Sequence, residues 1–142
     1  QREIRSYCTL MDVFTTDNVY IMKHLVELLL PDSGSVEYLL EKMFFYLTRR
    51  PNECFLGVIA DEDVIHGYLF AILPAFADYV WVDSAHCKNT VCQEDVDRVH
   101  SLLFDFAKEH NCRKIRMATV RGRAFERKYG YRKVMEILEK EI

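Results

Sequence analysis

Glycine and proline are scarce in this chain, five and three among 142 residues, and the stretch from Tyr79 to Cys112 has no glycine. That excludes a glycine-rich phosphate cradle there, because such loops depend on backbone conformations and close approaches that a β-carbon obstructs. Runs of about 18 apolar residues are absent, which argues against a membrane-spanning helix. The opening residues QREIRSYCTL carry charge where a signal peptide needs an apolar core, so a cytoplasmic location is expected. The first residue, Gln1, reads as a trimmed start or as part of a longer chain. The five cysteines, Cys8, Cys54, Cys87, Cys92 and Cys112, are odd in number and form no C-x-x-C pair, so reduced thiols are expected rather than a disulfide framework. A net charge of only -3 gives no reason to expect a nucleic-acid or membrane-surface partner. Repeats and low-complexity tracts are also missing.

What remains is a chain that is 50% hydrophobic and 29% charged, of a length that forms one domain over residues 1–142 with a substantial core. Ile4 to Leu10 reads as a strand bounded by Asp12. From Asp17, a plausible cap, Val19, Met22, Leu25, Val26 and Leu29 share a helical face as far as Pro31. Ser35 begins a second helix striped by Val36, Leu39, Leu40, Met43, Phe44 and Leu47 and closed by Arg49, Arg50 and Pro51. Glu53 to Ala60 and Val64 to Leu73 form a hairpin about an acidic turn, and Ala77 to Asp83 extends it into a meander. A long helix follows, roughly Val91 to His110, with Thr90 and Gln93 matching a capping box. Lys114 to Val120 is a strand, Gly122 to Tyr129 a short helix ended by Gly130, and Tyr131 to Leu138 a last strand. The expectation is an α/β (α+β) domain with a mixed, mostly antiparallel central sheet flanked by helices, in the order β-α-α-β-β-β-α-β-α-β. The helical crossover makes the strands on either side of the long helix parallel neighbours.

This order resembles that of the GCN5-related N-acetyltransferase (GNAT) superfamily over nearly the whole chain. Val82-Asp83-Ser84 stands where the family has V-x-P at the end of its fourth strand, Leu102 to Ile115 is similar to the family's helix end and next strand, and Gly130-Tyr131 matches its G-F. The family's R/Q-x-x-G-x-G/A loop, which wraps the pyrophosphate of acyl-coenzyme A, has no glycine here. Counting forward from Val82 puts Cys87 at the R/Q position and Thr90 and Cys92 at the small-residue positions; counting back from the helix end puts Glu94 and Val96 there. Glu94 and Asp95 complement the helix dipole and would repel a pyrophosphate, whereas Lys88 and the Thr90 hydroxyl would attract it. Glu126 stands where the family's acid Tyr usually does, and Thr119 where its Asn does.

The resemblance implies an acyltransferase that moves an acetyl or other acyl group from acyl-CoA to an amine. It makes His86 or Asp83 the base and Tyr129 or Tyr131 the acid, and it gives Val82, Ser84, Cys87, Lys88, Asn89, Thr90, Val91 and Cys92 to the acetyl-CoA site. The basic run from Arg113 to Lys133 is first of all a solvated face; as an anion site, its Arg121 and Arg123 would meet the 3'-phosphate of the coenzyme or an acidic partner. Solvent exposure for His86 and ordinary packing for the two tyrosines are the competing readings. Tyr79 and Trp81 line either a substrate cleft or a packing surface. His86, Cys87, Cys92 and His100 lack a common zinc spacing, so no metal is expected. Two further readings stand beside the enzyme: a degenerate GNAT-fold interaction module that no longer binds coenzyme A, and a structural subunit that pairs as a homodimer.

Overall fold

Two adjacent segments whose side chains alternate between two apolar layers build the middle of the sheet: β2 (Cys54–Asp61) and β3 (Val64–Ile72), paired antiparallel through a turn in which Glu62 takes a φ of 54°. The computed structural model describes residues 9–29, 36–119 and 122–142. Outside β2 lies β1 (Asp12–Thr15), with Asp12 opposite Ala60. The expected strand from Ile4 to Leu10 falls largely outside the described residues, and Thr9 and Leu10 are not strand. Among the described residues the first strand is Asp12–Thr15, its register set by the β2 edge it joins.

On the other side of β3 lies β4 (Tyr79–Cys87), which starts two residues later than expected and ends four residues beyond Asp83. The sheet ends with β5 (Lys114–Met117), parallel to β4, giving the order β1-β2-β3-β4-β5. The expected last strand, Tyr131 to Leu138, does not form, so the observed order stops at the short helix that precedes it. Val134, Met135, Ile137 and Leu138 are exposed instead. With only four residues, β5 gives that segment little edge to pair with.

The region expected as the first helix is broken into 3-10 turns at Val19–Ile21 and Val26–Leu28 around one α turn, α1 (Met22–Leu25), and its cap is Asn18 rather than Asp17. The second helix is α2 (Val36–Arg49) and the long one is α3 (Gln93–Glu109). The short helix is α4 (Gly122–Tyr129), as the sequence predicts. Against one face of the sheet, α1 and α2 bury Leu25, Leu39, Met43 and Leu47 on Leu56, Val58 and Phe70. Against the other, α3 buries Leu103 and Ala107 on Phe55, Ala71, Val80 and Val82. Gly57 lets α3 lie close: a β-carbon there would fall 3.1 Å from a Val99 methyl and 2.9 Å from the Phe55 ring.

One charged side chain enters this packing. Asp95, in the first turn of α3, is 0% exposed. Its Oδ2 accepts the Met11 amide at 2.9 Å and its Oδ1 accepts Arg98 Nη1 at 3.0 Å, while the same Nη1 donates to the Met11 carbonyl at 3.2 Å. A carboxylate taken out of water is tolerated only with such partners. Asp95→Ala should lower the unfolding free energy by about 3 kcal/mol. Urea denaturation followed by circular dichroism measures it, and an unchanged midpoint would show that the buried carboxylate does not hold the segment before β1 to α3.

Candidate functional site

The centre of the site is the place where β4 leaves β5. The two strands pair from Tyr79 opposite Lys114 to Val82 opposite Met117, and β4 then continues to Cys87 paired with β3 alone. At that point β4 also bulges: Phe70 faces Ser84 and Ala71 faces Val82, so Asp83 is an extra residue. Beyond the bulge, one edge of β4 presents backbone donors and acceptors that β5 does not meet. The bulge also fixes the local side chains. Asp83 pairs with Lys42 Nζ of α2 at 2.9 Å, and Ser84 is buried with its hydroxyl bonded to Tyr68. His86 is half-buried and opposite Tyr68 on β3, so it lies on the same sheet face as Ser84.

From Cys87 the chain turns through exposed Lys88, Asn89 and Thr90 to half-buried Val91 and buried Cys92. The turn is closed by Lys88 N–H donating to His66 O at 2.8 Å and Val91 N–H donating to Lys88 O at 3.1 Å. Cys92 is the cap residue of α3 and makes no side-chain capping bond, so the expected Thr90 cap is displaced by two residues. The helix ladder starts with Asp95 and Val96 N–H, both donating to Cys92 O, and the Gln93 and Glu94 amides precede it. The helix thus starts one residue after Cys92, the last position of the register counted forward from Val82, and one before Glu94, the first small-residue position of the register counted back. Cys92 is disulfide-bonded, which corrects the expectation of reduced thiols at that position; an odd number of cysteines does not forbid one pair.

A second cluster joins α3 to α4. The Tyr129 hydroxyl donates to Asp97 Oδ1, Gln93 Nε2 donates to the same oxygen at 2.8 Å, and Lys128 Nζ donates to Gln93 Oε1 at 2.7 Å. The His100 ring stacks on Tyr129 with centroids 4.0 Å apart, and its Nε2 lies 2.9 Å from the Tyr131 hydroxyl. Burial raises the Tyr129 hydroxyl well above its ordinary range, helped by its bond to the Asp97 carboxylate. Burial also pushes Tyr131 up to about 12. Both hydroxyls therefore hold their protons, and that of Tyr129 is engaged by Asp97. Burial alone would raise Asp97, but the hydrogen bonds from Tyr129 and Gln93 and the Lys128 charge bring it below its ordinary value.

Two groups thus emerge from the expected residues. Val82, Asp83, Ser84, His86 and the 87–92 turn are contiguous along β4 and the mouth of α3, although the Ser84 hydroxyl and the Asp83 carboxylate are already engaged. Tyr129 and Tyr131 belong with His100 instead. Arg123 is exposed on α4, and Arg121 lies outside the described residues. Sequence reasoning missed Lys42, Tyr68, Gln93 and Asp97. Of these, Gln93 and Asp97, followed by His100, were detectable as a polar row at helical spacing on α3. A cavity of about 1100 Å³ extends from Trp81 past β5 and α4 to the following segment, with Phe104, Arg116, Phe125 and Tyr131 in its lining. Among the described residues, no group of His, Cys, Asp and Glu side chains is placed to hold a metal, and no helix is long and apolar enough to cross a membrane.

No protein-family model matches the chain, and no curated protein matches it. Solved structures do. The aminoglycoside N-acetyltransferase AAC(6')-Iy in complex with a CoA-containing bisubstrate analogue superposes with a TM-score of 0.71 at 13% identity, covering 94% of this chain and 99% of that one. A predicted acetyltransferase from Clostridium acetobutylicum with acetyl-CoA gives 0.72 at 17%, covering 93% and 96%. Glucosamine-6-phosphate N-acetyltransferase from Arabidopsis thaliana gives 0.68 at 14%, covering 94% and 99%. The chain shares with these acetyltransferases its fold, a mixed five-stranded sheet with its helices.

The second cluster carries a pH dependence of known sign. Burial lowers His100 below its ordinary 6.5, outweighing the Asp97 charge that would raise it. The unfolded chain takes up this proton near pH 6.5 and the folded chain only at lower pH, so the contribution is complete above 6.5 and shrinks as pH falls toward the folded value. Melting temperature should drop on acidification through this window, and less steeply in His100→Phe; parallel profiles for the two proteins would remove His100 as the cause.

Proposed function

We propose that this protein is an acyl-CoA-dependent N-acyltransferase, with the acyl thioester laid along the free edge of β4 and its pyrophosphate at the mouth of α3. The observation that carries this reading is that the pairing of β4 with β5 ends at the bulge while β4 runs on to Cys87, which leaves strand-edge amides beside a helix N-terminus. Amides aimed at a carbonyl oxygen stabilise the negative charge that develops when an amine attacks it, and helix amides attract phosphate. The loop contributes Cys87, Lys88, Asn89, Thr90, Val91 and Cys92, largely through backbone, and Lys88 brings a cation. Of the two acidic residues in the first turn, Asp95 is turned inward and paired with Arg98, so Glu94 alone remains exposed there. Arg123 is free to meet the 3'-phosphate.

In the reaction the amine nitrogen forms a bond to the thioester carbonyl carbon, the carbon–sulfur bond breaks, and the thiolate leaves. His86 takes the amine proton; Asp83 is the weaker candidate because Lys42 holds its carboxylate. Tyr129 is a poor acid for the thiolate, since its proton is bonded to Asp97 and its acidity is depressed, and solvent supplies that proton instead.

The test is thermal shift with acetyl-CoA followed by thiol release in the presence of amines. Ligand at a hundredfold excess over its Kd stabilises the native state by about 2.7 kcal/mol, several degrees for a chain of this size. An unmoved melting temperature at millimolar acetyl-CoA would overturn the reading in favour of an interaction module. Lys88→Ala should weaken binding several-fold, and an unchanged shift would remove Lys88 from the site.

A further inference from the structure

The face of the sheet opposite α3 is only partly covered. The core formed by α1 and α2 takes its apolar side chains from β2 and β3, and β4 adds only the buried Ser84 hydroxyl on Tyr68. Tyr79 and Trp81 of β4 and Arg116 of β5, with Trp81 and Arg116 opposite each other in the parallel pair, therefore lie half-buried on an open shelf beside the bulge. The Arg116 guanidinium sits 4.5 Å from the centroid of the Tyr79 ring. Among the described residues, no carboxylate lies within ion-pair distance of it, whereas neighbouring Lys114 is paired with Asp78. At the bulge end of the shelf, Lys42 of α2 reaches across to Asp83, and Trp81 and Arg116 line the cavity that continues past β5.

We infer that this shelf is the acceptor site, and that it takes an elongated amine with an apolar or aromatic body and a carboxylate at its far end. The chemistry divides by position. At the bulge the amine meets the acyl carbonyl; over Trp81 lies a flat apolar surface; at Tyr79 an arginine, fixed in orientation by the ring beneath it, offers its planar fork to a carboxylate. Length follows from the strand. Tyr79 and Asp83 are four residues apart, about 13 Å at the rise of a β-strand. An α-amino acid, with its amine and carboxylate on one carbon, does not span that distance. A tripeptide does so nearly, because three extended residues cover about 10 Å and the arginine side chain supplies the rest. Short peptides with a free amino terminus and a free carboxyl terminus are thus the class that fits.

The inference rests on the acyltransferase reading for the direction in which the amine points, but the shelf has its own reporter. Trp81 is the only tryptophan in the chain, so selectively excited tryptophan fluorescence reads this site alone. The full-length chain is titrated with Ala-Phe-Ala and, separately, with the same tripeptide as its carboxyl-terminal amide. The free acid should give a saturable fluorescence change, with the amide at least tenfold weaker. Arg116→Gln should bring the two to equal, weak binding, and Arg116→Lys should restore part of the difference. Equal binding of acid and amide to the native chain, no fluorescence response to either, or unaltered discrimination in Arg116→Gln would each overturn the inference. The first two outcomes use no variant and so do not depend on how a variant folds. Thermal shift with acetyl-CoA separates the two ideas: peptide discrimination without an acetyl-CoA shift sinks the acyltransferase reading alone, and a shift without discrimination sinks the acceptor class alone.

Discussion

A carboxylate with no access to solvent organises the working end of this molecule. Asp95 would be costly in the first turn of α3 if it were not matched on both oxygens, and its partners come from opposite directions, the Met11 amide from the approach to β1 and Arg98 from the next turn of its own helix. The same carboxylate complements the helix dipole. Its inward orientation reduces the negative charge facing the turn after β4. The fold thereby secures a helix start that has no side-chain cap bond and leaves the Gln93 and Glu94 amides ahead of the ladder.

The glycine-free turn follows the same logic. A loop with β-carbons is less able to wrap a phosphate with successive amides, so more falls to strand edge, helix terminus and Lys88. One neighbouring bond and one close approach preserve the geometry: the Lys88 amide is anchored on His66, and Gly67 admits the end of β4, since a β-carbon there would stand 2.9 Å from that of Cys87. The glycine that matters to this turn therefore lies in the opposite strand.

Legibility in the sequence was uneven for physical reasons. Helices α2, α3 and α4 and the β2–β3 hairpin announce themselves because apolar periodicity and turn residues are local signals. The end of β4 was cut short at Asp83 because the polar residues beyond it carry no local strand signal; Lys42 and Tyr68, distant in sequence, satisfy Asp83 and Ser84 inside the strand. Tyr131 to Leu138 has strand-like composition, but composition does not tell whether a partner edge exists. Likewise Tyr129 and Tyr131 were legible as functional candidates, whereas their attachment to Asp97 and His100 depends on how α4 docks against α3. From α2 to α4 the succession of elements was readable because each rests on a local pattern, whereas the strand expected after α4 does not form.

The Lys42–Asp83 pair has a further meaning once the shelf beside it is considered. It is the tie recorded between α2 and the bulge, and with the lysine side chain 45% exposed it is worth only about 1 kcal/mol or less. The helix itself is seated by Leu39, Met43 and Leu47 in the core, so the pair does not carry its packing. What the pair holds is the Asp83 carboxylate, and rising ionic strength would release that charge at the bulge while the helix beside it stays in place.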